Sequence, residues 1–302
     1  MKTLRQLVGL VLVAALVLGA CGDDDGSADS TTSTTAPDGT TSTTGSDDDT
    51  TTSTAPAVSE VSVYWLDGET LRVGAGREVE GLGVAAAAVE ALLEGPNADE
   101  EALGLGTAIP EGTELLGLDL VDDTATVDLS SEFASGGGSF SMNARVAQVV
   151  YTVTQFPSVR HVEFRLDGEP VEALGGEGLL LERPLTRADF EFGGEYEHLT
   201  PAILVETPRI GDEVSGSFEV AGRSNTFEAT LNLEVVDGEG NVVVEERHLT
   251  ATSGTGTPGD FEATIELPDD LDADELVLLA FERSAEDGER INIVEIPLRA
   301  TS

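Results

Sequence analysis

Cysteine is almost absent from this chain: Cys21 is its one cysteine in 302 residues. A disulfide within the chain is therefore excluded. Lysine is equally scarce, because Lys2 has no successor. Aromatic residues make up 5% of the sequence, with one tryptophan, so any core must be largely aliphatic. Positive charge is in short supply, with 15 Lys and Arg against 58 Asp and Glu and a formal net charge of -43. Such a surface repels nucleic acid phosphates, which excludes that class of partner. The excess acid itself reads as solubility and a salt-adapted composition, and is assigned no chemistry. Long apolar runs are also missing. The run from Leu7 to Ala20 covers 14 residues, short of the about 20 that a transmembrane helix needs.

What that short run does have is context. Lys2 and Arg5 precede it, giving residues 1–20 the layout of a secretory signal. Leu18-Gly19-Ala20-Cys21 closes it and resembles the bacterial lipobox, in which small residues precede a cysteine that is diacylated before a peptidase cuts on its amino side. The resemblance implies cleavage between Ala20 and Cys21, with Cys21 as the lipidated first residue of the mature chain. Two or three acyl chains, at about 0.8 kcal/mol per buried CH₂, would hold the protein on a membrane despite its charge. The expected location is the outer face of the bacterial cytoplasmic membrane.

Residues 21–57 read as a disordered tether. From Gly22 to Ala57 the composition is Thr, Ser, Asp, Gly and Pro, with eight Asp and no basic residue. Such a segment cannot offset its ordering entropy, and as a flexible coil its 36 residues would span roughly 30 to 36 Å.

Regular structure is expected from Val58. "VSVYWL" reads as a strand, and a turn at Asp67-Gly68 leads into a second, "TLRVGAGREV", weakened by Gly74 and Gly76. A helix follows in "GVAAAAVEALLEGP", ended by Gly95-Pro96. "TELLGLDLV" and "TATVDLS" are two further strands, joined at Asp122-Asp123. In "SFSMNARVAQVVYTVTQFP" one helical stripe carries Met142, Val146, Val149, Val150 and Val153, while Arg145, Gln148 and Thr152 lie off it. "VRHVEFRLDGEPV" adds a strand and an Asp-Gly turn, so the element order predicts an α+β sheet with helices on one face. Residues 187–200 read as a linker. Beyond it seven short strands spaced by turns, with no Cys or Trp, predict an all-β sandwich over 201–302.

Two families come into view at this point. Residues 58–186 resemble the GerMN domain (sporulation and spore germination), through "ALLEGP", "AIPEGTELLGLDLVDDTATVDLSSEF" and "VAQVVYTVTQFPSVRHVEFRLDGEPV". Residues 201–302 resemble the Gmad2 immunoglobulin-like domain, through "VAGRSNTFEATLNLEVVDGEGNVV" and "FERSAEDGERINIVEIPLR". The first resemblance implies a noncatalytic assembly module, similar in fold to ring-building domains of envelope channels, and with it homo-oligomer formation. The second brings no activity with it.

Candidate chemistry is thin. His161, His198 and His248 fall in a strand, the linker and another strand, none at metal-ligand spacing, and read as exposed or structural. The carboxylate pairs Asp122 with Asp123 and Asp128 with Glu132 read as turn or cap residues. "DGEGN" at 237–241 lacks the calcium-loop pattern and reads as a hairpin turn. Gly136 to Gly138 precede a helix without a Walker lysine, and read as a loop. "FEAT" occurs twice, at Phe227 and Phe261, and both copies read as packing. No catalytic, metal or cofactor residue is assigned.

The function expected is a lipid-anchored, non-enzymatic module that makes protein contacts in the cell envelope. The alternative is capture of a solute or wall polymer between the two domains, for which Tyr64, Trp65 and Tyr196 are the candidate aromatics.

Overall fold

The computed structural model describes residues 58–301 apart from 82, 176–178 and 197. Ala20, Cys21, the signal and the tether lie outside the described residues.

The first module opens with four short strands: β1 (Val58–Val61), β2 (Tyr64–Asp67), β3 (Thr70–Val73) and β4 (Arg77–Glu80). The continuous strands expected at 61–66 and 70–79 are each broken, for identifiable reasons. At Ser62 the Gln155 side chain takes both main-chain groups, its Oε1 accepting from the Ser62 N–H and its amide donating to the Ser62 carbonyl, each at 2.8 Å. At Ala75 the backbone N–H is captured by Glu100 Oε1 at 2.8 Å. Gly74 beside it is obligatory, because a Cβ there would lie 2.3 Å from Glu100 Oε1 and 2.4 Å from the Trp65 indole nitrogen.

Helix α1 (Val84–Leu93) follows, with Gly95 in the left-handed region at φ 85° and Pro96 beyond it, the stop expected from the sequence. A short α2 (Ala98–Ala102) begins at Asn97 in a capping box with Glu100. Strands β5 (Leu105–Gly106), β6 (Leu115–Val121) and β7 (Thr124–Leu129) lead to α3 (Ser139–Val153). After it come β8 (His161–Leu166), β9 (Glu169–Pro170), β10 (Ala173–Leu174) and β11 (Leu179–Leu180). The strands divide among small sheets: β3-β2-β5, β6-β7-β8-β9, and the pairs β1-β4 and β10-β11. β7 and β8 are parallel, so α3 is the crossover of a βαβ unit. Every residue of α3 from Met142 to Val153 is buried, including Arg145, Gln148 and Thr152, which lie off the apolar stripe.

The second module is a sandwich. Its strands are β12 (Ile203–Thr207), β13 (Glu213–Val214), β14 (Ser217–Ser224), β15 (Thr230–Asp237), β16 (Val242–Thr250), β17 (Gly259–Glu266), β18 (Glu275–Arg283) and β19 (Arg290–Ala300). They form two sheets in the orders β12-β14-β17 and β13-β19-β18-β15-β16. β17 shows why: Phe261, Ala263 and Ile265 are buried while Glu262, Thr264 and Glu266 are exposed, the period of a strand with one wet face. The seven strands expected from the sequence are all present, with β13 added.

Residues 187–200, which read as a linker, are built into the fold. A 3-10 turn at Arg187–Phe190 places Phe190 in the core beside Leu199. The Leu199 carbonyl accepts from the Leu71 N–H at 2.6 Å. Leu204 and Ile210, from the second module, pack into the core of the first.

Candidate functional site

Among the described residues, three groupings of polar or exposed side chains stand out as candidate sites. The first is the junction between modules. Arg187 donates to Glu206 Oε1 at 2.6 Å, to the Tyr64 hydroxyl at 3.1 Å, to the Tyr151 carbonyl at 3.2 Å and to Thr154 Oγ1 at 2.8 Å. Its guanidinium also lies over the Tyr151 and Tyr64 rings, at 4.8 and 5.4 Å from their centroids. The Tyr64 hydroxyl donates to Glu206 Oε1 at 2.5 Å. Burial pushes the Tyr64 phenol well above its ordinary value, against the opposing charge of Arg187, so it is a neutral donor. Burial works against the Arg187 charge, but the Glu206 carboxylate paired with it keeps the guanidinium protonated. Around this centre Arg209 pairs with Glu60, and Arg223 with Glu191 at 3.0 Å. The arrangement ties the two modules together.

Tyr64 and Trp65, taken from the sequence as candidates for an exposed aromatic cluster, are therefore corrected to buried residues: Tyr64 belongs to the junction and Trp65 donates its indole N–H to Glu100 at 2.9 Å. Tyr196 stacks on Phe190, with ring centroids 5.4 Å apart.

The second place is strand β6, an edge of its sheet. Leu116, Leu120 and Val121 on it are 49%, 45% and 68% exposed, and Asp119 is its one charged residue. Edges of this kind are usually blunted by charge or proline.

The third is a surface cleft of about 520 Å³ where the connector meets the end of the sandwich. Phe192 and Phe227 line it, 56% and 53% exposed. The packing role read for both "FEAT" copies thus holds for Phe261, which is buried, and fails for Phe227. The reason lies in the backbone: Glu228 and Ala229 adopt left-handed φ of 53° and 59°, which turns the chain before β15 and leaves the ring outside. Sequence reasoning passed over Phe192 as part of a linker; an aromatic in a glycine-rich stretch without strand or helix period was the available signal.

The remaining candidates sit in structural roles. His161 Nδ1 is 3.3 Å from Asp123 Oδ1, His248 Nδ1 is 3.2 Å from Asn232 Oδ1, and the His198 ring meets Phe192 edge-on at 6.1 Å. Asp122 turns the β6–β7 hairpin at φ 55°, and Asp128 accepts from the Gly168 N–H at 3.0 Å. Asp237 accepts from the Asn241 side-chain amide and from the N–H groups of Asn241 and Glu239, closing the β15–β16 hairpin, and these bonds hold its carboxyl below the usual range. Among the described residues no group of three or more His, Cys, Asp or Glu is placed to hold a metal ion. Gly136 and Gly137 form a left-handed loop whose Gly136 carbonyl is bound by Arg145.

Comparison with known families decides the identity of both modules. Residues 62–172 match the family described as sporulation and spore germination, and residues 202–289 match the immunoglobulin-like domain of bacterial spore germination. The two modules belong to the GerMN and Gmad2 domain families. Among solved structures, the chain is 25% identical to a candidate lipoprotein from Clostridium perfringens, covering 44% of this chain and 89% of that one with a TM-score of 0.33. It is 19% identical to the tandem GerMN domains of GerM from Bacillus subtilis, covering 64% of this chain and 60% of that one, with a TM-score of 0.35. The first GerMN domain of GerM alone aligns at 23% identity over 43% of this chain and 98% of that one, with a TM-score of 0.34. The assignment rests on the domain families and not on these likenesses. A comparison with curated proteins finds no match.

Proposed function

We propose that this GerMN–Gmad2 chain is a lipoprotein of the outer face of the cytoplasmic membrane, tethered through Cys21, that acts as a non-enzymatic protein-interaction or assembly module of the cell envelope. The observation that carries the reading is β6. An edge strand whose outer side pairs with no other described strand, and which exposes Leu116, Leu120 and Val121, is a template for strand addition by another chain, with main-chain bonds giving affinity and side chains giving selectivity. The partner is an envelope protein or a second copy of the chain. The anchor supports the same reading, because a tether of 36 residues would let the folded modules search a limited zone above the membrane.

The test is in vivo photo-crosslinking from position 120. Discrete adducts that disappear when Val121→Lys is added are expected. A chain that gives no adduct from β6, or whose adducts ignore the added charge, overturns the reading. For the anchor, Cys21→Ala abolishes palmitate labelling; a variant that still labels refutes it.

A further inference from the structure

We propose that the cleft between Phe192 and Phe227 binds a neutral sugar unit of a glycan. The chain has 58 acidic residues, yet the described residues lining this cleft include no carboxylate and no arginine. Its lining is instead aromatic and hydroxyl- or amide-bearing: Phe192, Phe227, His198, Asn225, Thr226 and Thr255. A pyranose ring combines an apolar C–H face with a rim of hydroxyls, so it matches exposed rings flanked by neutral hydrogen-bonding groups. The volume of about 520 Å³ falls in the range of small-ligand sites. An anionic polymer is disfavoured, because the cleft offers no cation among its described lining residues and the whole chain carries a net charge of -43.

Two further features set the cleft apart from ordinary surface. Thr226 in its floor is 1% exposed, and its hydroxyl has no hydrogen-bond partner among the described residues. Native structures rarely leave such a group unpaired. Around that floor Glu228, Ala229 and Thr255 all adopt left-handed φ of 51° to 59°, a local concentration of strained backbone. A small shift of the Phe227 turn on binding would bring the Thr226 hydroxyl within reach of a ligand. This site gives the polymer-capture alternative a location, and it is independent of any contact at β6.

The test titrates the full chain with the tetramer of N-acetylglucosamine and with cellotetraose by calorimetry, and adds sedimentation with purified cell-wall sacculi. Binding of one tetramer with a Kd of about 1 mM or tighter is expected. Phe192→Ala with Phe227→Ala should weaken it about tenfold or more, the loss of one or two stacking contacts. Thr226→Val should weaken binding while leaving the melting temperature unchanged or raised, which a purely structural threonine would not do. Co-sedimentation with sacculi assigns the site to the wall glycan, and tetramer binding alone assigns it to free oligosaccharide. Absence of binding by both tetramers, or binding undiminished in the double alanine variant, overturns the proposal.

Discussion

Arg145 is the largest departure from what its position in the helical pattern suggests. It is 2% exposed with no carboxylate partner among the described residues, and donates to the carbonyls of Phe133 at 2.5 Å, Ser135 at 2.9 Å, Gly136 at 3.3 Å and Ser141 at 3.2 Å. Burial lowers its pKa, and the carbonyl dipoles take the place of water around the charge. Its planar fork reaches several carbonyls at once, a geometry an ammonium cannot reproduce. Arg145→Ala should cost about 3 kcal/mol in urea denaturation, and Arg145→Lys should recover less than half of that. Glu100 is the corresponding buried acid, with a fully buried side chain. Burial opposes its ionisation, but hydrogen bonds from Arg77, the Asn97 N–H, the Trp65 indole and the Ala75 N–H outweigh it and hold the carboxyl below its ordinary 4.5. A depressed folded value means that the stability from ionised Glu100 is complete above the unfolded value and is lost as pH falls through the folded one. Stability should therefore decline on acidification below about pH 5, and Glu100→Gln should make that decline shallower. An unchanged slope in denaturation midpoints between pH 7 and pH 3 would remove Glu100 from the account.

At the scale of elements, the apolar periods were legible and the polar burial was not. α1 and α3, the hairpin turns at Gly68, Asp122 and Asp237, and the strands of the sandwich follow from local pattern, because period and turn chemistry act over a few residues. Gly74 and Gly76 mark the second predicted strand as weak, but the breaks themselves depend on Gln155 and Glu100, partners distant in sequence, and were not otherwise legible. The same holds for α3, where Arg145 and Gln148 on the second face serve backbone groups elsewhere, while the buried Thr152 hydroxyl has no hydrogen-bond partner among the described residues. Gln148 shows this: its amide donates to the Tyr64 carbonyl at 2.9 Å and its oxygen accepts from the Ala108 N–H at 2.8 Å. Gln148→Leu should cost about 3 kcal/mol, because two buried main-chain groups lose their partners. The edge strand behaves in the opposite way. Val121 is 68% exposed, so Val121→Lys should leave stability within about 0.5 kcal/mol while removing the β6 contact, which separates interaction from folding.

At the scale of the whole molecule, the boundary between the modules is where composition misled most. "ADFEFGGEYEHLT" is glycine-rich and without period, yet it buries Phe190 and Leu199 and presents Phe192 to the cleft. The Arg187 network binds this stretch to both modules, and removing it by Arg187→Ala should cost about 2 kcal/mol. That is less than a fully buried pair would lose, because the Glu206 side chain is 27% exposed. A stronger consequence comes from Leu204, which stands on β12 of the Gmad2 module and is 3% exposed, packed into the core cluster of the GerMN module. A shared core transmits unfolding, so residues 58–301 should melt as one cooperative unit despite carrying two domain families. The single tryptophan makes this measurable, because Trp65 is buried in the GerMN module and its fluorescence reports that module alone. Far-ultraviolet circular dichroism, dominated by the strands of both modules, reports the whole. Leu204→Ala should cost about 3 kcal/mol by loss of buried area and the cavity left behind. It should also shift the Trp65 transition and the dichroism transition by the same amount, although the substitution lies in the other module. Two separated transitions in the parent chain, or a variant in which the Trp65 midpoint stays put, would show that the cores fold independently and that the junction is only a contact.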